Sequence, residues 1–488
     1  MSGQVGFELI LRGGTVVTPT GLAQADIGVA EGSIVAVDRE LGGPSGETID
    51  ATGLHIFPGV IDAHVHFNEP GRAEWEGLET GTRALAAGGA ILFFDMPLNA
   101  HPPTLDAESF RLKLAAAERK SLVDFAFWGG LVPGNLEHLE ELAECGVVGF
   151  KAFMANSGID DFSCVDDRTL REGMKRAARL GLPVAVHAES DALTRQLTEE
   201  RLAQGRISIR DYLESRPMAA ELEAIRRALD LAGDTGCALH VVHVSGGAGI
   251  ELVLEGRRRG VDVSCETCPH YLTLTGDDME QIGALAKCAP PLRSAEEQKR
   301  LRQHLLAGEI TTVGSDHSPS PPEMKHDANF FKIWGGISGG QHTLPLLLTA
   351  AGLNFPAGDR SLDAAHCPTN VKASSSSSSF NRPVQEREGF DILPLLASLV
   401  SERVAARFKL PRTKGRIVLG ADADLALVDL EQNGEVRRED LFYRHPQSPY
   451  VGRRLRGRVV RTLLRGNTVF RDGKITGKGL GRFVRPIK

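Results

Sequence analysis

The chain has 488 residues, 42% hydrophobic and 24% charged, an ordinary composition for a globular protein with room for one large domain and a smaller one. Its net charge of −7 leaves no electrostatic footprint for nucleic acid or for an anionic membrane, and no apolar run approaches the ~18–20 residues needed to span a bilayer. The seven cysteines form no paired framework, and "MSGQVGFELILRGG" lacks the sections of a signal peptide. Reduced thiols and a cytoplasmic location are therefore expected, the more so because the final "PIK" is not a peroxisomal tripeptide.

In chain order, residues 7–57 hold "FELILRGGTVV", "ADIGVAEGSIVAV" and "ETIDATG", short β segments broken by glycine turns. Eight apolar β-rich runs follow: "HIFPGVIDAHVH", "AILFFDMP", "DFAFWGGL", "VGFKAFM", "PVAVHAE", "ALHVVHVSGG", "VDVSCETCPHY" and "TTVGSDHSP". Between them, stretches such as "LDAESFRLKLAAAERK" and "AELEAIRRALDLAG" place apolar residues at the three- and four-residue spacing of amphipathic helices. Alternating strand–helix units of this number predict an α/β fold, a (β/α)₈ TIM barrel over residues 58–412. Residues 352–389, with six consecutive serines at 374–379, read as a mobile surface insertion, and its His366 and Cys367 are assigned no chemistry. Residues 413–488 return to short β segments, "GRIVLGADADLALVDL" and "RVVRTLLRGNTVF", so residues 1–57 and 413–488 are expected to join in one small β-sandwich domain. The arginines of "GRRLRGRVVRTLLRG" alternate with apolar residues, as on a strand with a solvated basic face.

Barrel enzymes carry their chemistry at the C-terminal ends of the strands. His64 and His66 end the first run, and residues i and i+2 of a strand face the same way. Lys151 lies in the fourth run, His187 ends the fifth, His243 ends the sixth and Asp316 ends the eighth. Each has a plain structural alternative: a hydrogen-bonded core histidine, a helix-capping aspartate, a lysine in a buried ion pair. Their shared rim favours a metal site instead. Cys265 and Cys268 form a lone C-x-x-C without a second ligand pair and read as strand-end residues.

The stretches "DAHVHFNEPGRAEWEGLETGT", "FDMPLNAHPPT", "VGFKAFM", "CETCPHYLTL", "LAKCAPPLR", "SDHSPSPPEMK", "WGGISGGQ" and "YRHPQSPYVGR" make the chain resemble the cyclic amidohydrolase branch of the amidohydrolase superfamily, and within it the allantoinases. That resemblance implies hydrolysis of the ring amide of allantoin, a small neutral substrate, to allantoate. It implies two divalent ions per chain, with Zn²⁺ the first choice and Co²⁺, Mn²⁺ or Ni²⁺ suited to the same donors. Lys151 would be carboxylated by carbon dioxide to N6-carboxylysine and bridge the ions. His64, His66 and Asp316 would hold one ion, and His187 and His243 the other. Asp316 would also move the proton from the attacking water to the departing ring nitrogen. Asn68, Ser157, Ala289 and Gly335 would contact the substrate, the last three mainly through main-chain groups. A homotetramer is implied as well, with neither nucleic acid nor membrane as partner.

Neighbouring families differ at single positions. Dihydroorotases carry arginine where Asn68 stands, a cation for their substrate's carboxylate. Hydantoinases and dihydropyrimidinases, the alternative assignment, carry tyrosine where Asn156 stands and tend to carry asparagine where Gly335 stands. Residues 402–405 read "ERVA" where related chains often show "ENPA", which puts a local helix start in question. A non-catalytic scaffold, as among the dihydropyrimidinase-related proteins, would lack several of the six metal-site residues, and here all six positions are filled.

Overall fold

The eight apolar runs become eight parallel strands. Val60–Val65, Ala90–Asp95 and Asp124–Phe127 pair in that order. Gly129–Gly130, Phe150–Phe153, Val184–His187, Leu239–Val241, Val263–Thr267 and Thr312–Val313 pair in that order. Trp128 alone separates the two pieces of the third run, and its backbone N–H donates to the Asp95 carbonyl at 3.1 Å. On the other side Val65 bridges His317 in parallel, and the His66 N–H donates to the His317 carbonyl at 2.8 Å. The ring is thereby the expected (β/α)₈ barrel. This computed structural model describes residues 6–352, 392–479 and 481–487, so the serine-rich stretch, with His366 and Cys367, lies outside the described residues.

The strands are buried on both faces, as parallel strands sheathed by helices must be. The helices start and stop where the local chemistry directs. Ala107–Lys120 begins at Asp106, whose carboxylate accepts from the Ser109 N–H in a capping box. Met218–Thr235 ends at Gly236, whose φ of 69° is the left-handed conformation that a side chain resists. The "ERVA" stretch does form a helix, Glu402–Arg407, without a side-chain cap at Ser401. Arg403 ties it to the barrel by donating to the carbonyls of Gly308 and Ile310 at 2.9 and 2.8 Å.

The chain ends share one nine-stranded sheet. His55–Pro58 pairs antiparallel with Leu425–Glu435, joining residues far apart in sequence. This sheet carries a core of its own, with Leu11, Ile27, Val29, Ile56, Leu425 and Leu463 fully or almost fully buried. The arginine-rich stretch is the strand Arg454–Leu464, with Arg454 and Arg458 exposed and Arg461 turned in to Glu47 at 3.0 Å. A buried ion cluster fastens the C-terminal segment to the barrel. Lys414 Nζ lies 2.6 Å from Asp124 and 2.7 Å from Asp424, and Arg465 lies 2.6 Å from Asp124. Removing either cation would leave Asp124 buried and under-paired, a loss typically of ~3–5 kcal/mol.

Candidate metal centre

Five barrel strands bring the six sequence-predicted metal-site residues together. His64 lies in the strand Val60–Val65 and His66 just beyond it. Lys151 lies in Phe150–Phe153, His187 ends Val184–His187, and His243 and Asp316 follow Leu239–Val241 and Thr312–Val313. His243 and Asp316 have φ of 40° and 46°, a region that non-glycine residues enter chiefly where surrounding structure holds them there, often at functional sites.

Their donor atoms form two adjoining groups. Asp316 Oδ1 lies 3.3 Å from His64 Nε2 and 3.4 Å from His66 Nε2. His187 Nδ1 lies 3.1 Å from His243 Nε2. The His64 and His243 rings, 5.4 Å apart, place the groups side by side. Lys151 Nζ is buried and has no hydrogen-bond partner among the described residues. An orphaned nitrogen in such a place is costly.

Carboxylates behind the rings set their orientation. Glu266 Oε1 takes His64 Nδ1 at 2.7 Å, and Glu189 Oε2 takes His187 Nε2 at 2.8 Å. Glu189 is itself held by Arg216 at 2.6 Å. A ring that donates one N–H to a carboxylate turns the lone pair of its other nitrogen toward the centre, as metal-bound histidines do. Asn99 Nδ2 lies 3.4 Å from His66 Nδ1.

The electrostatics suit metal binding. Burial lowers the proton affinity of His66, His187 and His243, so the imidazoles are neutral and able to coordinate. Burial also pushes the Lys151 ammonium down to about 7. Against burial, His64 and His66 hold the Asp316 carboxyl well below the usual carboxylate range. Glu266 is likewise buried, yet His64 and His240 bring it down to about 2.

Above the centre opens a cavity of about 780 Å³, walled by His64, His66, His187, His243 and Asp316 together with Ser157, Ala289 and Gly335. The Ser157 hydroxyl is spent on the Ile159 and Phe162 carbonyls, at 3.2 and 2.6 Å, which leaves main-chain groups to face a ligand. Asn68 is not among the lining residues: it is buried, with its amide 3.5 Å from the Pro319 carbonyl. Asn99 lines the cavity in its place, and sequence reasoning passed over it. Glu189, Arg216 and Glu266 were also missed. Glu266 meets His64 across 202 residues and Arg216 meets Glu189 across 27, contacts that only the fold makes, whereas Glu189 stands just two residues after His187.

The sequence pattern of the amidohydrolase family matches residues 55–469. An allantoinase of Rubrobacter xylanophilus is 55% identical over 480 residues, 98% of each chain. One of Deinococcus radiodurans is 50% identical over 98% of this chain and 99% of its own, and one of Escherichia coli K12 is 43% identical over 95% of each. The chain belongs to the amidohydrolase family. Among solved structures, an L-hydantoinase (dihydropyrimidinase) from Arthrobacter aurescens superposes with a TM-score of 0.87 at 33% identity, over 98% of this chain and all of its own. A dihydropyrimidinase from Brevibacillus agri gives 0.84 at 30% identity, over 98% of each chain.

Amidohydrolase membership implies a binuclear metal site. The donors fit one: the clustered His64, His66 and Asp316, the adjoining imidazole pair His187 and His243, and an unpartnered lysine nitrogen buried beside them. No described helix is long and apolar enough to cross a membrane.

Proposed function

We propose that this chain hydrolyses the ring amide of allantoin to allantoate. The observation that carries the proposal is the full-length identity of 42–55% to proteins named allantoinase, over 95–98% of the chain. The hydantoinase and dihydropyrimidinase structures it resembles share 27–33%. Asn156, which stands where those families carry tyrosine, turns its side-chain oxygen back to the Gly158 N–H at 2.9 Å and offers no phenol to the cavity.

His64, His66 and Asp316 would hold one divalent ion, His187 and His243 the other, and carboxylated Lys151 would bridge them. When bound, such a pair lowers the pKa of a water held between its members and polarises a carbonyl. The residues do the rest. The amine of Lys151, its proton lost readily because burial disfavours the charge, is free to add to carbon dioxide. Asp316, ionised, only partly exposed and on the cavity wall beside His64, is placed to take a proton from the attacking water. As the water oxygen adds to the ring carbonyl carbon, Asp316 accepts the proton. It then delivers that proton to the ring nitrogen as the carbon–nitrogen bond breaks, leaving on the carbon side a carboxylic acid that gives the water's second proton to solvent and becomes the carboxylate. Main-chain groups at Ser157, Ala289 and Gly335 orient the ring and its ureido arm.

We further infer Zn²⁺ as the resident ion, homotetrameric assembly, cytoplasmic residence and a division of the chain at residues 57/58 and 412/413. Incubation of metal-replete protein with allantoin, followed by NMR, should show allantoate accumulating in step with loss of allantoin. No conversion by protein holding two ions per chain would overturn the proposal.

A further inference from the structure

Beside the six residues already described sits a second group of donors. Cys268 Sγ, a ring nitrogen of His270 and a carboxylate oxygen of Asp316 lie within 4.8 Å of one another. Cys268 follows the strand Val263–Thr267 in extended conformation, and Pro269 opens the short helix Pro269–Thr273 that carries His270. Cys268 and His270 are 0% and 1% exposed. Neither ring nitrogen of His270 has a hydrogen-bond partner among the described residues. Most buried polar groups are satisfied, and leaving one unmade costs ~1–3 kcal/mol, so two vacant positions on one buried ring call for a ligand.

We propose that Cys268, His270 and Asp316 form a third cation position, contiguous with the binuclear centre, that takes a thiophilic divalent ion such as Zn²⁺ or Cd²⁺. A tetrahedral ion with bonds of ~2.0–2.3 Å holds its ligands about 3.5 Å apart, so binding would draw in donor atoms that lie within 4.8 Å of one another. A carboxylate has two oxygens, so Asp316 can serve this position and the pair formed by His64 and His66 together. The sulfur sets the choice of ion: thiolate favours Zn²⁺ and Cd²⁺, whereas Mn²⁺ and Mg²⁺ prefer oxygen donors. An ion here draws on the carboxylate that moves the proton, so excess thiophilic metal should inhibit where excess Mn²⁺ does not. The sharing of Asp316 rests on the function proposed above; the sulfur–imidazole pair does not.

The test uses the purified holoenzyme, equilibrated with graded free Cd²⁺. Total metal is read by mass spectrometry, and thiolate coordination by the cadmium–sulfur charge-transfer band in the near ultraviolet. The expected result is one ion per chain beyond the first two, rising together with the band. Cys268→Ser should abolish the band and weaken the third ion at least tenfold. His270→Gln should weaken it comparably and supplies the answer should Cys268→Ser fold poorly. Cys288→Ser, which alters another buried thiol at the cavity wall, should keep both signals. Two ions with no third at saturating Cd²⁺, or a third ion and band unchanged in Cys268→Ser or His270→Gln, would overturn the third position. Holoenzyme holding no ions before Cd²⁺ is added would instead overturn the binuclear reading.

Discussion

Glu266 Oε1 lies 2.7 Å from His64 Nδ1, and both side chains are almost completely buried. The pair defines how a strand histidine becomes a donor, because the carboxylate claims one nitrogen and aims the other at Asp316. Removing such a partner typically costs 10–100-fold in metal affinity. Glu266→Ala should therefore lose metal to a competing chelator at ~10–100-fold lower chelator strength, with circular dichroism unchanged. Wild-type retention of metal would show that packing alone orients His64.

Lys151 should govern both assembly and its pH dependence. Lys151→Ala should lose binuclear binding and activity, and a short-chain carboxylic acid should restore part of both by standing in for the carbamate. Carboxylation needs the neutral amine, and burial brings the ammonium down to about 7. A lowered pKa means the reactive form is populated above that value and lost below it. Reconstitution of metal-free protein with metal and bicarbonate should accelerate as pH rises through about 7 and then level off. A rate that climbs only near the ordinary lysine range would contradict this.

Asp316→Asn keeps an oxygen for the metal and removes the proton acceptor. General acid–base catalysis contributes ~10²–10⁴-fold, so kcat should fall by about that factor with metal content largely retained. A variant within a few-fold of wild type would take Asp316 out of proton transfer.

Lys287 lines the cavity and braces its wall. Its ammonium donates to the Phe330 and Phe331 carbonyls at 2.7 and 3.2 Å, holding the loop that carries Trp334 and Gly335 along the cavity wall. Lys287→Met should loosen that loop and raise KM several-fold while kcat changes less. An unchanged KM would show that the loop keeps its place through other contacts.

The barrel is legible in the chain because each strand is a short apolar run bounded by turn residues, and the period of two alone makes His64 and His66 neighbours on one face. Choosing His243 over His240 in "HVVHVSGG" depends on position at the strand end; His240 turns instead to Ser264 at 2.7 Å. Asn68 and Asn99 show where such reasoning stops. Both follow barrel strands and both have positive φ, yet only Asn99 reaches the cavity wall, which depends on loop packing rather than on spacing. Glu266 escapes notice for a related reason: a carboxylate in an apolar run looks like any other polar interruption until the opposing His64 ring is in place, whereas Glu189, two residues after His187, is open to the same spacing argument as His64 and His66. The pairing of His55–Pro58 with Leu425–Glu435 is foreshadowed only by the shared β character of the two ends, since register over that separation leaves no local mark.

Substrate choice tests the central claim most directly. On one metal-replete preparation, kcat/KM should be measured for allantoin, hydantoin, dihydrouracil and dihydroorotate. Without a phenol at Asn156 the cavity lacks one donor to the developing oxyanion, a loss that can reach ~10²–10³-fold, and contacts to the ureido arm must supply the orientation. Allantoin should therefore exceed plain hydantoin and dihydrouracil by a factor on the order of 10² or more. Hydantoin or dihydrouracil turning over as fast as allantoin would contradict the assignment and place the chain with the hydantoinases instead.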